Sequence, residues 1–238
     1  DKPTLDFIKR VVKCATIGKI DNVSIEPGKV RGMDDGQVAF IFHTDNIPEF
    51  DFGSVGFNRL STFTARLDMI ADADKVSVTA NTDTSRNGDV FVRSLTMSAK
   101  GIKIDYRCAN PAVIRAPRER ADTVKYEINI DADAINYMTR GVAAMGCDEV
   151  RIISDDDGTR FEMSDVNGDV MSYQFKTSAI DIVNDDEAAI IDSTYPVKSI
   201  IPLLKASTSE QCYITEPSGM LMMNVEGFDM YVFPRNTL

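Results

Sequence analysis

The chain has 238 residues, enough for one large domain or two of ordinary size, and 43% of them are hydrophobic with the aromatics dispersed, which fits a well-packed globular protein. A formal charge of −11 argues against bulk attraction to nucleic acid, no run of about 18 apolar residues offers a transmembrane helix, and the opening DKPTLDFIKRVVK lacks the apolar centre of a secretory signal. Cys14, Cys108, Cys147 and Cys212 form no C-x-x-C pair beside a single histidine, so a zinc cluster is not expected and a reducing, cytosolic or nuclear setting is.

A first helix is expected over Leu5–Ile17. Leu5, Ile8, Val12 and Ala15 share a stripe, Thr4 can cap the start and Asp6 suits the first turn. Lys9, Arg10 and Lys13 lie off that stripe. Asn22–Glu26, Lys29–Met33 and Gln37–His43 alternate as strands, separated by Pro27-Gly28 and Asp35-Gly36. A second helix over Gly56–Met69 presents Phe57, Leu60, Phe63 and Leu67 on one face and Arg59 and Arg66 on another. Strands KVSVTA and DVFVRSLTM follow, with Asn87-Gly88 favouring a tight hairpin turn between them. GIKIDYRC, Gly101–Cys108, is the next strand.

Residues 109–122, ANPAVIRAPRERAD, show no periodicity. Pro111 and Pro117 point to an extended connector, with Arg115, Arg118 and Arg120 along it, dividing a domain at 1–108 from one at 123–238. Beyond it the order recurs. VKYEINI is a strand, and Asp131–Met145 is a helix with Ile135, Met138, Val142 and Met145 inward, Asn136 and Arg140 outward, and Gly146 to end it. EVRIIS, TRFEMS and DVMSYQF are strands broken at Asp157-Gly158 and Asn167-Gly168, and AIDIV and EAAIIDS are two more. Tyr195–Ala206 is a helix with Ile200, Ile201 and Leu204 inward and Lys198 and Lys205 outward. Its Pro202 belongs either to the first turn of a helix starting near Ser199 or to a kink. QCYITE, MLMMNV and FDMYVF close the chain as strands.

Catalysis finds little support. Nucleophilic triads would have to use His43, which ends the apolar strand QVAFIFH and reads better as a partly buried strand-end residue. No phosphate-binding glycine loop is present. Asp155-Asp156-Asp157-Gly158 has its glycine out of register for a calcium loop, so it and Asp185-Asp186-Glu187 read as solvated turns. The charge is uneven: residues 1–122 hold 18 Lys+Arg against 17 Asp+Glu, and residues 123–238 hold 8 against 20. Yet all four expected helices carry cations off their apolar stripe. A solvated face explains any one of them; four of four in an acidic chain point to one basic strip if the helices pack side by side.

Both halves read helix, hairpins, helix, hairpins. VSIEPGKVRGMDDGQVAFIF after the first helix and VRIISDDDGTRFEMSDVNGDVMSYQF after the third share the same run of strands and acid-plus-glycine turns. A period of about 110 residues is too long for a solenoid and reads as a duplicated domain. With the basic first helix, the hairpin ending Gly32-Met33-Asp34, the helix YPVKSIIPLLKA and the terminal FDMYVFPR, this order resembles the DNA sliding clamps, the family of proliferating cell nuclear antigen and the T-even phage clamp, over nearly the whole chain.

The resemblance implies an α+β clamp fold of two duplicated domains, each with antiparallel sheets and two helices, and a head-to-tail homotrimer of charge 3 × −11 = −33. It implies helices lining a hole, with Lys9, Arg10, Lys13, Arg59, Arg66, Arg140, Lys198 and Lys205 facing duplex DNA that is held by topology, without sequence preference. Subunits would pair through edges at about Gly101–Cys108 and Val166–Phe175, using Ile102, Ile104, Tyr106, Val170, Ser172 and Tyr173. A pocket of Met33, His43, Val113, Ile114, Tyr231, Phe233 and Pro234 would hold peptides of a DNA polymerase and a clamp-loader ATPase. No enzymatic role, cofactor, metal or membrane partner is implied. The faint likeness to the eukaryotic clamp and the end at Leu238 favour a phage origin, with the host cytoplasm as location. The competing readings are a two-domain β-rich structural or virion assembly protein, with its helix cations as plain surface charge, and a monomeric enzyme with an unrecognised site.

Overall fold

The computed structural model describes residues 2–48, 53–70, 73, 75–117, 122–155, 157–175, 180–182 and 191–235. The chain divides into two compact units, Asp1–Arg118 and Glu119–Leu238.

In the first unit α1 spans Lys2–Ile17, so Thr4 and Asp6 lie inside it and not at its start. Its buried face is wider than one stripe: Phe7, Val11 and Cys14 join Ile8, Val12 and Ala15, while Leu5 is half-buried. A helix against a globular core buries an arc of about 100° or more, which takes two adjacent rows. Strands β1 (Asn22–Glu26), β2 (Lys29–Met33), β3 (Ala39–His43) and β4 (Val55–Phe57) form an antiparallel group in the order β3-β2-β1-β4. Helix α2 covers only Leu60–Asp68. Phe57 therefore belongs to β4, not to the helix, and its ring meets Phe63 of α2 at 4.8 Å. Strands β5 (Ser77–Thr84), β6 (Val90–Ala99) and β7 (Ile102–Arg107) make a separate meander in that order.

The connector does not start extended. Pro111–Val113 is a 3-10 turn, with proline at its first position and the Asn110 side chain accepting from the Ala112 N–H at 2.9 Å. Arg118 and Arg120 lie outside the described residues, as do Asp156 and Asp185-Asp186-Glu187.

The second unit opens with β8 (Thr123–Asn129) and α3 (Ala132–Met145). Asp131 caps α3 by accepting from the Ala134 N–H at 2.8 Å, and Gly146 ends it at φ +64°, a left-handed backbone that glycine adopts without steric cost. Its buried row is Ala134, Met138 and Gly141, with Ile135, Val142 and Met145 half-buried beside it. Strands β9 (Glu149–Asp155), β10 (Gly158–Ser164), β11 (Val170–Gln174), β12 (Ile180–Ile182) and β13 (Ile191–Pro196) follow, then α4 (Val197–Ala206), β14 (Ser207–Glu216), β15 (Leu221–Val225) and β16 (Phe228–Val232). One sheet runs β11-β10-β9-β13; the other group runs β12-β8-β14-β15-β16. Helix α4 begins at Val197, not at Tyr195 or Ser199, which leaves Pro202 in its interior, where no N–H is available for the Lys198 carbonyl.

The duplication is visible in the topology. The order β3-β2-β1-β4 is repeated as β11-β10-β9-β13, and the meander β5-β6-β7 is repeated as β14-β15-β16. Among the described residues each unit carries two α-helices that pack on each other, α1 with α2 and α3 with α4. Two turns are built alike as well. Ser85-Arg86-Asn87-Gly88-Asp89 and Asp165-Val166-Asn167-Gly168-Asp169 each close with the first residue's N–H donating to the fifth residue's carbonyl, at 2.8 and 3.0 Å. Both are three-residue connections with glycine at positive φ, not two-residue Asn-Gly turns.

Candidate nucleic-acid and self-association surfaces

The helix cations fall into distinct environments. On α1, Arg10 and Lys13 are exposed and Lys9 is half-buried. Arg140 of α3 is exposed, its guanidinium 6.0 Å from the Tyr137 ring. On α4, Lys198 pairs with Asp148 at 3.3 Å, and Lys205 lies in the last turn, lining an open cleft of about 460 Å³ with Asn136, Thr139 and Ser207. A cation in that last turn is favoured by the helix dipole.

Arg59 and Arg66 do something else. Both reach across to β7. Nη2 of Arg59 donates to the Arg107 carbonyl and Nη1 of Arg66 donates to the Asp105 carbonyl, each at 3.4 Å. Their guanidinium carbons lie 5.6 and 5.8 Å from the Tyr106 ring centroid, within cation–π range. The helix periodicity placed them off the apolar face; it gave no sign of this strand, which arrives some 40 residues later.

Strands β7 and β11 are each outermost in their sheets among the described residues. Backbone direction on each follows from one hydrogen bond. The Cys108 N–H donates to the Arg93 carbonyl on the β6 side, and the Phe175 N–H donates to the Thr159 carbonyl on the β10 side. Antiparallel strands alternate their bonding sides. Lys103, Asp105 and Arg107 on β7, and Val170, Ser172 and Gln174 on β11, therefore turn their backbone groups away from their own sheets.

The side chains behave differently from strand to strand. Tyr106 is fully buried, its ring against Phe63 at 5.1 Å and Phe57 at 6.0 Å, and its hydroxyl donates to the Arg59 carbonyl at 3.3 Å. Burial pushes its phenol up to about 12. The expectation that Tyr106 offers its side chain to a second subunit is therefore corrected: it is core, because it lies on the face of β7 that α2 covers. Ile102 on the same face is 41% exposed and Ile104 is half-buried. On β11, Val170 is 60% exposed and Ser172 is exposed. Tyr173 is half-buried, stacked on Phe161 at 5.3 Å and on Tyr137 of α3 at 4.9 Å. Tyr137, 43% exposed, was missed in the sequence; an aromatic three residues before an outward arginine on a helix was the available signal. Over Gly141 of α3 fold the flexible ends of Met163 and of Met171 from this edge strand.

The expected peptide-pocket residues divide between the units. Met33 ends β2 half-buried, and His43 ends β3 buried, opposite Val30. Val113 is 74% exposed while Ile114 is buried. The start of the connector is pinned to β4, where the Ala109 N–H donates to the Gly56 carbonyl at 2.9 Å. In the second unit Tyr231, Phe233 and Pro234 are half-buried. The Tyr231 phenol is pushed up to about 12, mostly by burial, with the Asp229 and Asp122 carboxylates adding to it. Asp122 is itself held by the Ser218 and Thr215 hydroxyls.

Among the described residues no three His, Cys, Asp or Glu side chains gather as a metal site, and no helix is long and apolar enough to cross a membrane. No protein-family model and no curated protein matches the sequence. Solved structures do match. A structure described as the C-terminal region of FEN-1 bound to A. fulgidus PCNA is similar at TM-score 0.63 and 15% identity, over 98% of this chain and 96% of that one. Proliferating cellular nuclear antigen of Entamoeba histolytica is similar at TM-score 0.60 and 15% identity, over 96% and 94%. The DNA polymerase sliding clamp of Bacillus subtilis is similar at TM-score 0.67 and 13% identity, over 98% of this chain but 63% of the bacterial one. The fold of this chain is the sliding-clamp fold.

Proposed function

We propose that this chain is a DNA polymerase processivity factor that closes head to tail into a homotrimer, encircles duplex DNA and carries no enzymatic activity of its own. The observation that carries the reading is that, in a chain of the clamp fold, the outermost strands among the described residues include β7 and β11, of six and five residues, one in each unit. An outermost strand is a template for pairing, and one such edge on each of two duplicated units suits a closed cyclic assembly of identical subunits. Ile102, Ile104, Val170, Ser172 and Tyr173 are the contact residues of this reading.

Duplex contact falls chiefly to the cations of α1, α3 and α4: Lys9, Arg10, Lys13, Arg140, Lys198 and Lys205. Contacts to phosphates carry no base information, so a ring lined this way slides. The functional boundaries are 1–108, 109–122 and 123–238. The A. fulgidus clamp holds the C-terminal region of FEN-1. By analogy the connector residues Val113 and Ile114 with Met33, His43, Tyr231, Phe233 and Pro234 take short peptides from a polymerase and a clamp-loader ATPase, as a few apolar anchors can. A cytoplasmic location within a phage-infected host fits this role.

The test is polymerase product length on primed circular DNA with a clamp loader and ATP. Wild-type protein lengthens the products and light scattering gives three chains; Ile104→Arg gives monomers and short products. Short products from a trimeric wild type favour a structural protein over a clamp, and an unchanged trimer from Ile104→Arg removes this edge assignment.

A further inference from the structure

Arg59 and Arg66 were expected to face DNA. In the structure their guanidinium groups bond instead to the carbonyls of Arg107 and Asp105. Those are two of the three β7 residues whose backbone points away from β6, the groups an incoming strand would need. Outermost strands are commonly blunted by charged side chains that deter indiscriminate pairing. We propose that Arg59 and Arg66 form a releasable cap on the β7 edge, and that the strand which displaces them is β11 of a second copy of this chain. The inference rests on the head-to-tail reading above and adds to it a device that sets how readily the subunits join.

Three features of the two strands and their surroundings favour β11 as the occupant. The first is length and parity: β7 offers outward backbone groups at 103, 105 and 107, and β11 offers them at 170, 172 and 174. The second is charge. Antiparallel pairing centred on Asp105 and Ser172 brings Arg107 beside the Asp165–Asp169 turn. It also brings Lys103 beside Gln174, whose amide donates to the Asp157 carbonyl at 2.9 Å in an acidic turn. The third is what the displaced arginines would meet. The cap bonds are long, at 3.4 Å and exposed, so exchanging them for a backbone ladder costs little. The helix above β11 presents Tyr137, a partly exposed ring stacked on Tyr173 with the Arg140 guanidinium 6.0 Å from its centroid, so an arginine leaving Tyr106 reaches an aromatic surface that already accommodates a guanidinium. Joining the edges thus turns Arg59 and Arg66 from edge caps into cations available at the junction.

The test is sedimentation velocity over a concentration series at fixed salt, comparing wild type with Arg59→Met/Arg66→Met. Methionine keeps the apolar stem and removes every donor. Lys75→Gln/Arg86→Gln, exposed cations of the same unit, removes the same charge elsewhere. The cap predicts that the double Met variant trimerises at concentrations lower by on the order of threefold to tenfold, as two weak bonds no longer compete. The charge control should stay at the wild-type midpoint. Each single Met variant should fall between. A trimeric wild type with an unshifted or weakened double Met variant overturns the cap and leaves the ring reading standing. A monomeric wild type with a trimeric Met variant supports the cap. Monomers throughout overturn both.

Discussion

At the scale of residues, close approach of backbones decides more than side-chain identity. Gly56 lies in β4 with its carbonyl bonded to Ala109, and a Cβ there would stand 2.6 Å from the Ala109 carbonyl oxygen and 3.1 Å from Ile114 Cγ1. The obstacle is backbone, which cannot swing aside. Gly141 differs: the atoms over it are the flexible ends of Met163 and Met171, which can rotate away. Gly56→Ala should therefore cost about 1–3 kcal/mol of unfolding free energy, as overpacking does, while Gly141→Ala should cost clearly less. Urea midpoints at unchanged slope measure both. Equal losses would show that β4 and the connector start move apart freely. If they stay joined, Gly56→Ala should also speed proteolysis within residues 109–117, because the bond at Ala109 holds that segment down.

At the scale of elements, the β11-β10-β9-β13 sheet is laced on one surface by charge. Arg151 on β9 grips Asp192 on β13 through Nε and Nη2, both at 2.6 Å, and Arg160 on β10 bonds Asp155 and Glu162. The Arg151 guanidinium holds the Asp192 carboxyl below the usual aspartate range, and the turn N–H groups of Asp169 and Asn167 do the same for Asp165. A carboxyl depressed in the folded state stabilises above its unfolded pKa and loses that contribution as pH falls through the folded one. The urea midpoint should thus decline as pH is lowered from about 5 towards 3, and Asp192→Asn should flatten part of the decline. The part is small, at most about 1 kcal/mol, since the pair is open to solvent. A decline of identical size in Asp192→Asn would assign it to other carboxylates. Element order and most turns were legible in the sequence because glycine, proline and alternation are local signals. The start of α2 was not, since Phe57 fits a helical stripe through Leu60 and Phe63 as well as it fits a strand with Val55. Nor was the burial of Tyr106, which is set by α2 packing across the meander.

At the scale of the whole molecule, the net charge and the local cations pull in opposite directions, and in the proposed ring, topology would decide between them. Eight cations on the expected helices were legible from periodicity; that Lys198 is paired and that Arg59, which precedes α2, and Arg66 lean onto a strand was not, because those contacts join residues distant in sequence. The proposed trimer, of charge 3 × −11 = −33, gains nothing from bulk attraction to duplex DNA. On the proposed reading its retention comes from enclosure, with phosphate contacts as a weak addition. Salt separates the two contributions, because phosphate contacts release counterions and weaken steeply as salt rises, by about 0.9 in log–log slope per contact. Once loaded on closed circular DNA, the protein should remain through a step from 50 to about 200 mM salt that strips an ordinary phosphate-binding protein. A single cut in the same circle should then release it, as the ring slides off the new end. Gel filtration of the DNA before and after cutting reads both effects. Loss of protein from the intact circle at the higher salt, or its persistence on the cut one, would mean that contact and not enclosure is what holds it.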